Sequence, residues 1–283
     1  MMQHIDAALA AAISEIERQA PPKLASAINH AVFPGGARIR PRLCHAVAQA
    51  AGSDCPPLVS AVATSLELLH CASLVHDDLP CFDAADTRRG LPSVHRAFGE
   101  PLAVLAGDAL IVLAFECLGR AATKPERLPA LLAMIAESAG AARGLAAGQG
   151  WESEPQIPLA AYHQAKTGSL FVAATMGGAL AAGHDPKPWR ALGDTLGEAY
   201  QVADDLLDAC AEEAGKPTGQ DAQLGRPNAV AEHGIEGAVD KLRELVDQAA
   251  ESVPNCGGAP PLRALVRQMA ERLVPASLRQ TAA

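Results

Sequence analysis

Long apolar segments, punctuated by proline and glycine, run through nearly the whole chain. The spacing of apolar positions between these breaks predicts helices over 5–19, 24–33, 40–51, 57–77, 101–121, 128–147, 159–183, 187–210, 228–235, 237–252 and 261–274. Within 57–77, Val62, Leu66, Leu69 and Ser73 recur at three- and four-residue intervals, one face of a helix. Segments 159–183 and 187–210 are apolar almost all round, the pattern of helices buried on every side. At about 1.5 Å per residue each would run roughly 35 Å, the depth of a domain. Neither β-branched alternation nor an Asn-Gly hairpin signal breaks the series. No linker-like tract or internal repeat divides it. The expectation is an all-α fold, with residues 1–283 forming one domain.

Composition sharpens this picture. Hydrophobic residues make up 49% but aromatics only 3%, with alanine supplying much of the difference. Alanine has the highest helix propensity and little bulk, so closely packed helices follow. A net charge of −9 argues against a nucleic-acid-binding surface. It leaves room for an anionic small ligand, because bound magnesium would reverse the local field. The cysteines at 44, 55, 71, 81, 117, 210 and 256 include no CxxC pair and fall mostly in apolar segments. Reduced core thiols are expected. The opening Met-Met-Gln-His-Ile-Asp lacks a signal-peptide layout. Gly107 and Asp108 break the most apolar window, Pro101 to Leu118, so no membrane span is expected. A soluble protein follows.

Two acidic clusters carry the chemistry: Asp77, Asp78 and Asp83, then Asp204, Asp205 and Asp208. Carboxylates this close repel unless cations lie between them, and hard oxygen donors suit Mg²⁺, which shares its shell with substrate phosphates. Asp204 and Asp208, four apart, share a helix face among apolar neighbours, an unfavourable arrangement for a bare helix. An acidic solvated turn is the plain alternative. Arg88-Arg89-Gly90 follows the first cluster, and guanidinium forks match phosphate oxygens. Upstream, Gly35-Gly36 permits close backbone approach beside Arg38 and Arg40. Lys166, in an apolar segment ahead of Thr167, is costly to bury unless paired, which aims it at the aspartates. Lys216 and Arg226 read equally as site or surface charges.

The order GG-x-R-x-R-P, H-x5-HDDLPxxD, RRG, KTG, Q-x2-DDxxD and GKP, from Gly35 to Arg226, resembles the trans-isoprenyl diphosphate synthases. The wording of GGARIRP, CASLVHDDLPCFD, AGQGWESE, AYHQAKTG and QVADDLLDA looks most like the geranylgeranyl diphosphate synthases of bacterial carotenoid and bacteriochlorophyll pathways. This resemblance implies a bundle of about ten or more helices around a deep central cavity, in a cytoplasmic homodimer with Pro101–Leu118 as candidate interface. It implies that Asp77, Asp83 and Asp204 hold magnesium, three ions with substrate bound, with Asp78, Asp205 and Asp208 in or just behind the coordination shell. Arg88, Lys166 and Lys216 would contact the allylic diphosphate, and Thr167 and Gln201 would lie near the reacting carbons. Arg40, His70 and Arg89 would bind isopentenyl diphosphate, with Arg38 and Arg226 as further basic contacts. The implied reaction is ionisation, condensation and elimination.

One departure stands out: the family usually carries lysine where this chain has Ala37. Product length would be set at Ala72 and Ser73, one turn before Asp77, where shorter-product members carry an aromatic ring. Small side chains there predict four isoprene units rather than three, unless Phe115 or Met176 closes the floor first. A farnesyl diphosphate synthase is the nearest alternative. A terpene cyclase would need no basic GG-x-R-x-R-P site, and a non-catalytic partner subunit could dispense with one aspartate cluster.

Overall fold

The structure, a computed structural model, describes residues 2–33, 35–121, 123–209 and 228–271. Its centre is α4 (Pro56–Asp77), with fourteen of its 22 residues buried. Prolines at 56 and 57 open the helix, since their fixed φ suits a first turn and their missing N–H groups would have no helical partner there. Pro80 prevents its continuation. Around α4 pack α3 (Ile39–Ala51), α6 (Glu100–Arg120) and α10 (Ser169–Ala181). Helices α1 (Met2–Glu17), α2 (Pro22–Val32), the short α5 (Val94–Phe98) and α7 (Leu128–Ala139) extend this core. A smaller apolar cluster joins α11 (Arg190–Ala209) to α12 (Ala229–Glu251), where Val202 and Leu206 meet Leu242 and Leu245. Helix α13 (Ala259–Glu271) packs on α12 and α3.

The all-α expectation holds, with local differences. Segment 128–147 is two helices, α7 and α8 (Leu145–Trp151), because the chain turns extended at Gly140. Segment 159–183 contains a π-helical turn at Gln164–Gly168 between α9 (Leu159–His163) and α10. The helices expected over 228–235 and 237–252 run end to end across a kink at Gly234, whose φ of 69° no α-helix accommodates. Finally, β1 (Thr87–Arg88) and β2 (Leu91–Pro92) form a small antiparallel hairpin. Its turn residues Arg89 and Gly90 both have positive φ, the requirement of a tight primed turn, met here without an Asn-Gly pair.

By length and composition alone, α4 and α6 would each reach across a membrane, despite Glu67 and Asp108. Most of α4 is buried in the bundle, whereas α6 leaves Val104, Leu105 and Val112 exposed. Among the described cysteines all are free; Cys44, Cys55 and Cys71 are buried, and Cys81 is exposed beside the first aspartate cluster.

Candidate active site

A cavity of about 930 Å³ opens between α3, α4, α6, α8, the π-turn and α11. Asp77 and Asp204 line it from the ends of α4 and α11, although 127 positions separate them in sequence. Lys166, Thr167 and Gln201 join them, as do Arg38, Arg40, His70, Arg88 and Arg89. Apolar lining comes from Leu69, Ala72, Val104, Ile111, Ala139 and Leu145.

On the acidic side, Asp77 accepts a hydrogen bond from Gln149 Nε2 at 2.8 Å and lies 3.5 Å from Lys166 Nζ. Lys166 also donates to Glu152 at 2.5 Å. Burial works against the Lys166 charge, but Asp77, Tyr162 and Glu152 outweigh it and raise the pKa above its ordinary value. Thr167 Oγ1 donates to Gln201 Oε1 at 3.0 Å, and Gln201 Nε2 donates to Asp205 at 3.0 Å. The π-turn adds a residue to one helical turn, a distortion frequent at functional sites.

The aspartates of each cluster are not equivalent. Asp78 is buried and ion-paired through both oxygens with Arg88, so it supports the loop rather than facing the cavity. Asp205 is also buried and accepts the backbone N–H of Ala229 at 2.7 Å, tying α11 to the start of α12. Asp208 is buried on α11. Asp83 sits in the loop after α4, with its backbone N–H bonded to the Asp77 carbonyl at 3.0 Å. Burial and protein partners set Asp78 and Asp205 behind the cavity wall rather than on it.

On the basic side, the loop before α3 has positive φ at Gly35, Gly36 and Arg38. A Cβ on Gly36 would come within 2.7 Å of the Arg89 guanidinium, so glycine is what lets that side chain lie across the loop. Arg89 donates to the Gly35 carbonyl. Arg38 is spent elsewhere: it bonds Asp6 at 3.2 Å, buried Glu67 at 2.8 Å and the Val32 carbonyl at 2.9 Å. It is a pin between α1, α4 and the loop, which corrects its expected role as a ready anion fork. Arg40 stacks 5.0 Å from the Phe171 ring, and its buried Nε has no hydrogen-bond partner among the described residues. Burial lowers its pKa, opposed by Glu67, Tyr200 and Asp204. His70 is pushed well below its ordinary pKa by burial and by Arg40, Arg89, Arg88 and Arg38, and so is neutral at pH 7.

Ser73 is half-buried on the cavity wall, whereas Ala72 is 1% exposed and packed in the core as well. Lys216 and Arg226 lie outside the described residues. Sequence reading missed Gln149, Glu152, Tyr162 and Glu67. Gln149 and Glu152, three apart on α8 and its cap, share one helix face, and that spacing was the available signal.

The polyprenyl synthetase family model matches residues 21–258. The chain belongs to that family. A curated relative, the geranylgeranyl diphosphate synthase of Cereibacter sphaeroides, is 56% identical over 280 residues, covering 98% of this chain and 97% of the relative. The farnesyl diphosphate synthase of Escherichia coli is 41% identical over 235 residues, 77% of this chain and 78% of its own. Among solved structures, geranyltransferase from Helicobacter pylori, complexed with magnesium and isoprenyl diphosphate, matches with a TM-score of 0.79 at 28% identity. It covers 95% of this chain and 96% of that one. Dependence on Mg²⁺ is typical of the polyprenyl synthetases.

The donor set here fits that ion. Among the described residues no cluster of three or more side chains forms a ready cage. Magnesium does not require one, since it keeps waters and phosphate oxygens beside one or two carboxylates. Asp77 and Asp204, hard donors on the wall of one cavity that also carries cationic side chains, meet that need.

Proposed function

We propose that this polyprenyl synthetase is a geranylgeranyl diphosphate synthase that condenses isopentenyl diphosphate with farnesyl or shorter allylic diphosphates. The observation that carries the reading is the meeting of Asp77, Asp204, Lys166, Arg40 and Arg89 around one cavity with an apolar lining. Identity of 56% to a geranylgeranyl diphosphate synthase favours the twenty-carbon product over the fifteen-carbon one.

In this reading Asp77, Asp83 and Asp204 hold magnesium, three ions with substrate bound. When bound, the metal supplies electrostatic stabilisation of the departing pyrophosphate. Lys166 offers a donor to the same allylic diphosphate, and Arg88 adds its Nη1 while its other nitrogens hold Asp78. Thr167 and Gln201, bonded to each other, stand beside the reacting carbons. Arg40, Arg89 and neutral His70 receive isopentenyl diphosphate. Holding both anions in register makes the condensation effectively intramolecular, and the proton lost from the condensed product is taken up by pyrophosphate.

Ser73 faces the cavity, so it is the better brake on chain length. Ser73→Phe shortens the product with turnover retained, and Ala72→Phe, on the same wall but packed more tightly, does so at a cost of about 1–3 kcal/mol in stability. The enzyme works as a cytoplasmic homodimer without a membrane span, with the exposed Val104, Leu105 and Val112 of α6 as the covered face. Incubating purified protein with Mg²⁺, labelled isopentenyl diphosphate and farnesyl diphosphate, followed by product chromatography, tests the assignment. A twenty-carbon product is expected. Starting from geranyl diphosphate, arrest at fifteen carbons would make it a farnesyl diphosphate synthase, and no condensation at all would favour a partner subunit.

A further inference from the structure

Lys166 is held by a device that lies outside the aspartate clusters. Its Nζ donates to Glu152 Oε1 at 2.5 Å, and Tyr162 donates its hydroxyl to the same oxygen at 2.6 Å. The Tyr162 ring also lies beneath the ammonium, 5.8 Å from ring centroid to Nζ. Helix α8 brings Glu152 there because it packs directly on the π-turn. A Cβ on Gly148 would sit 2.6 Å from the Lys166 backbone, so only glycine allows this approach. One turn after Gly148, Glu152 reaches across to the ammonium.

Two carboxylates thus compete for one lysine. Asp77, at 3.5 Å, already accepts from Gln149, and Glu152 takes the shorter contact. An ammonium has three donors, and Lys166 lines the cavity, so a donor remains for an anion. The flexible four-carbon stem is ordered before any ligand arrives, which lowers the entropy lost on binding.

We propose that Glu152, braced by Tyr162, is a positioning residue that presents Lys166 to the allylic diphosphate. The assignment rests on the reading of Lys166 given above, but it names an acidic residue outside both aspartate clusters as a determinant of allylic affinity.

The test is steady-state kinetics on the full chain with Mg²⁺, varying farnesyl diphosphate and isopentenyl diphosphate separately. Glu152→Gln keeps the shape and removes the charge. It is expected to raise the farnesyl diphosphate KM about tenfold, with kcat and the isopentenyl diphosphate KM within about twofold, the pattern of lost ground-state binding. Glu152→Asp is expected to recover most of that loss. Tyr162→Phe, which keeps the ring and removes the brace, is expected to give about a threefold rise in the same constant. An unchanged farnesyl diphosphate KM in Glu152→Gln, or an equal rise in both KM values, would overturn the proposal. Lys166→Ala separates the two layers: if it raises the farnesyl diphosphate KM while Glu152→Gln does not, positioning fails and the Lys166 assignment survives. If Lys166→Ala leaves that constant unchanged, the Lys166 assignment itself falls.

Discussion

Around Asp77 the polar side chains are cross-linked in pairs, whereas around His70 cationic side chains gather. On the acidic side Gln149 and Lys166 hold Asp77, Arg88 holds Asp78, and Gln201 bridges Thr167 to Asp205. On the basic side Arg40 Nε is unpartnered among the described residues, and burial with four nearby arginines drives His70 neutral. The two sides would therefore take up a diphosphate differently. Carboxylates can hold an anion only through cations placed between them. Guanidiniums bind it directly.

The largest expected effect comes from breaking the acidic side at the residues that face the cavity. Asp77→Asn and Asp204→Asn should each lower kcat on the order of 10³-fold, with melting temperature nearly unchanged. Their neighbours should behave in the opposite sense. Asp78→Asn strips the partner from Arg88, and Asp205→Asn weakens the tie to α12, so each should cost about 2 kcal/mol of stability while measurable turnover remains. Urea denaturation beside turnover assays separates the two classes. If Asp78→Asn proved fully stable and as inactive as Asp77→Asn, the division within the cluster would be wrong.

On the basic side the informative change adds a charge. Ala37 lines the cavity beside Arg38, whose fork is committed to Asp6, Glu67 and the Val32 carbonyl. Arg38 cannot replace the family's usual lysine without giving up those bonds. Ala37→Lys should therefore lower the isopentenyl diphosphate KM about tenfold, the worth of one charged hydrogen bond, and leave the allylic KM alone. An unchanged isopentenyl diphosphate KM would mean that Arg40 and Arg89 already saturate that anion.

The helices and both aspartate clusters were legible because periodicity and charge are local signals. The pairing within the clusters was not. Nothing in Asp77-Asp78 tells which carboxylate turns outward; that depends on Arg88 returning through a hairpin whose positive-φ turn at Arg89 has no strong sequence mark. Arg38 was misread for a related reason. Its acidic partners, Asp6 and Glu67, lie 32 and 29 positions away, and only the packing of α1 against α4 brings them together. Glu152 stood in the sequence only as part of the AGQGWESE stretch, without a role, because Gly148, which lets α8 approach the π-turn, reads as a mere helix weakener.

The smallest effect lies in the acid limb of stability and tests whether the basic side is truly strained. Burial, then Arg40, Arg89, Arg88 and Arg38, depress His70 below the value of about 6.5 it has when unfolded. The unfolded chain therefore binds a proton that the folded one refuses. By linkage, stability should fall as pH drops from 7 towards 5, with a slope of at most about 1.4 kcal/mol per pH unit for this one proton. His45, lowered by burial and by His4, adds in the same direction, so His70→Gln should flatten the limb without abolishing it. Urea midpoints at pH 5 and 7 read the difference. Adding pyrophosphate to the wild-type protein should also flatten it, because an anion among the guanidiniums offsets the repulsion that keeps His70 neutral. An acid limb as steep in His70→Gln as in the wild type would place the titrating strain elsewhere and remove the contrast with the cross-linked acidic side.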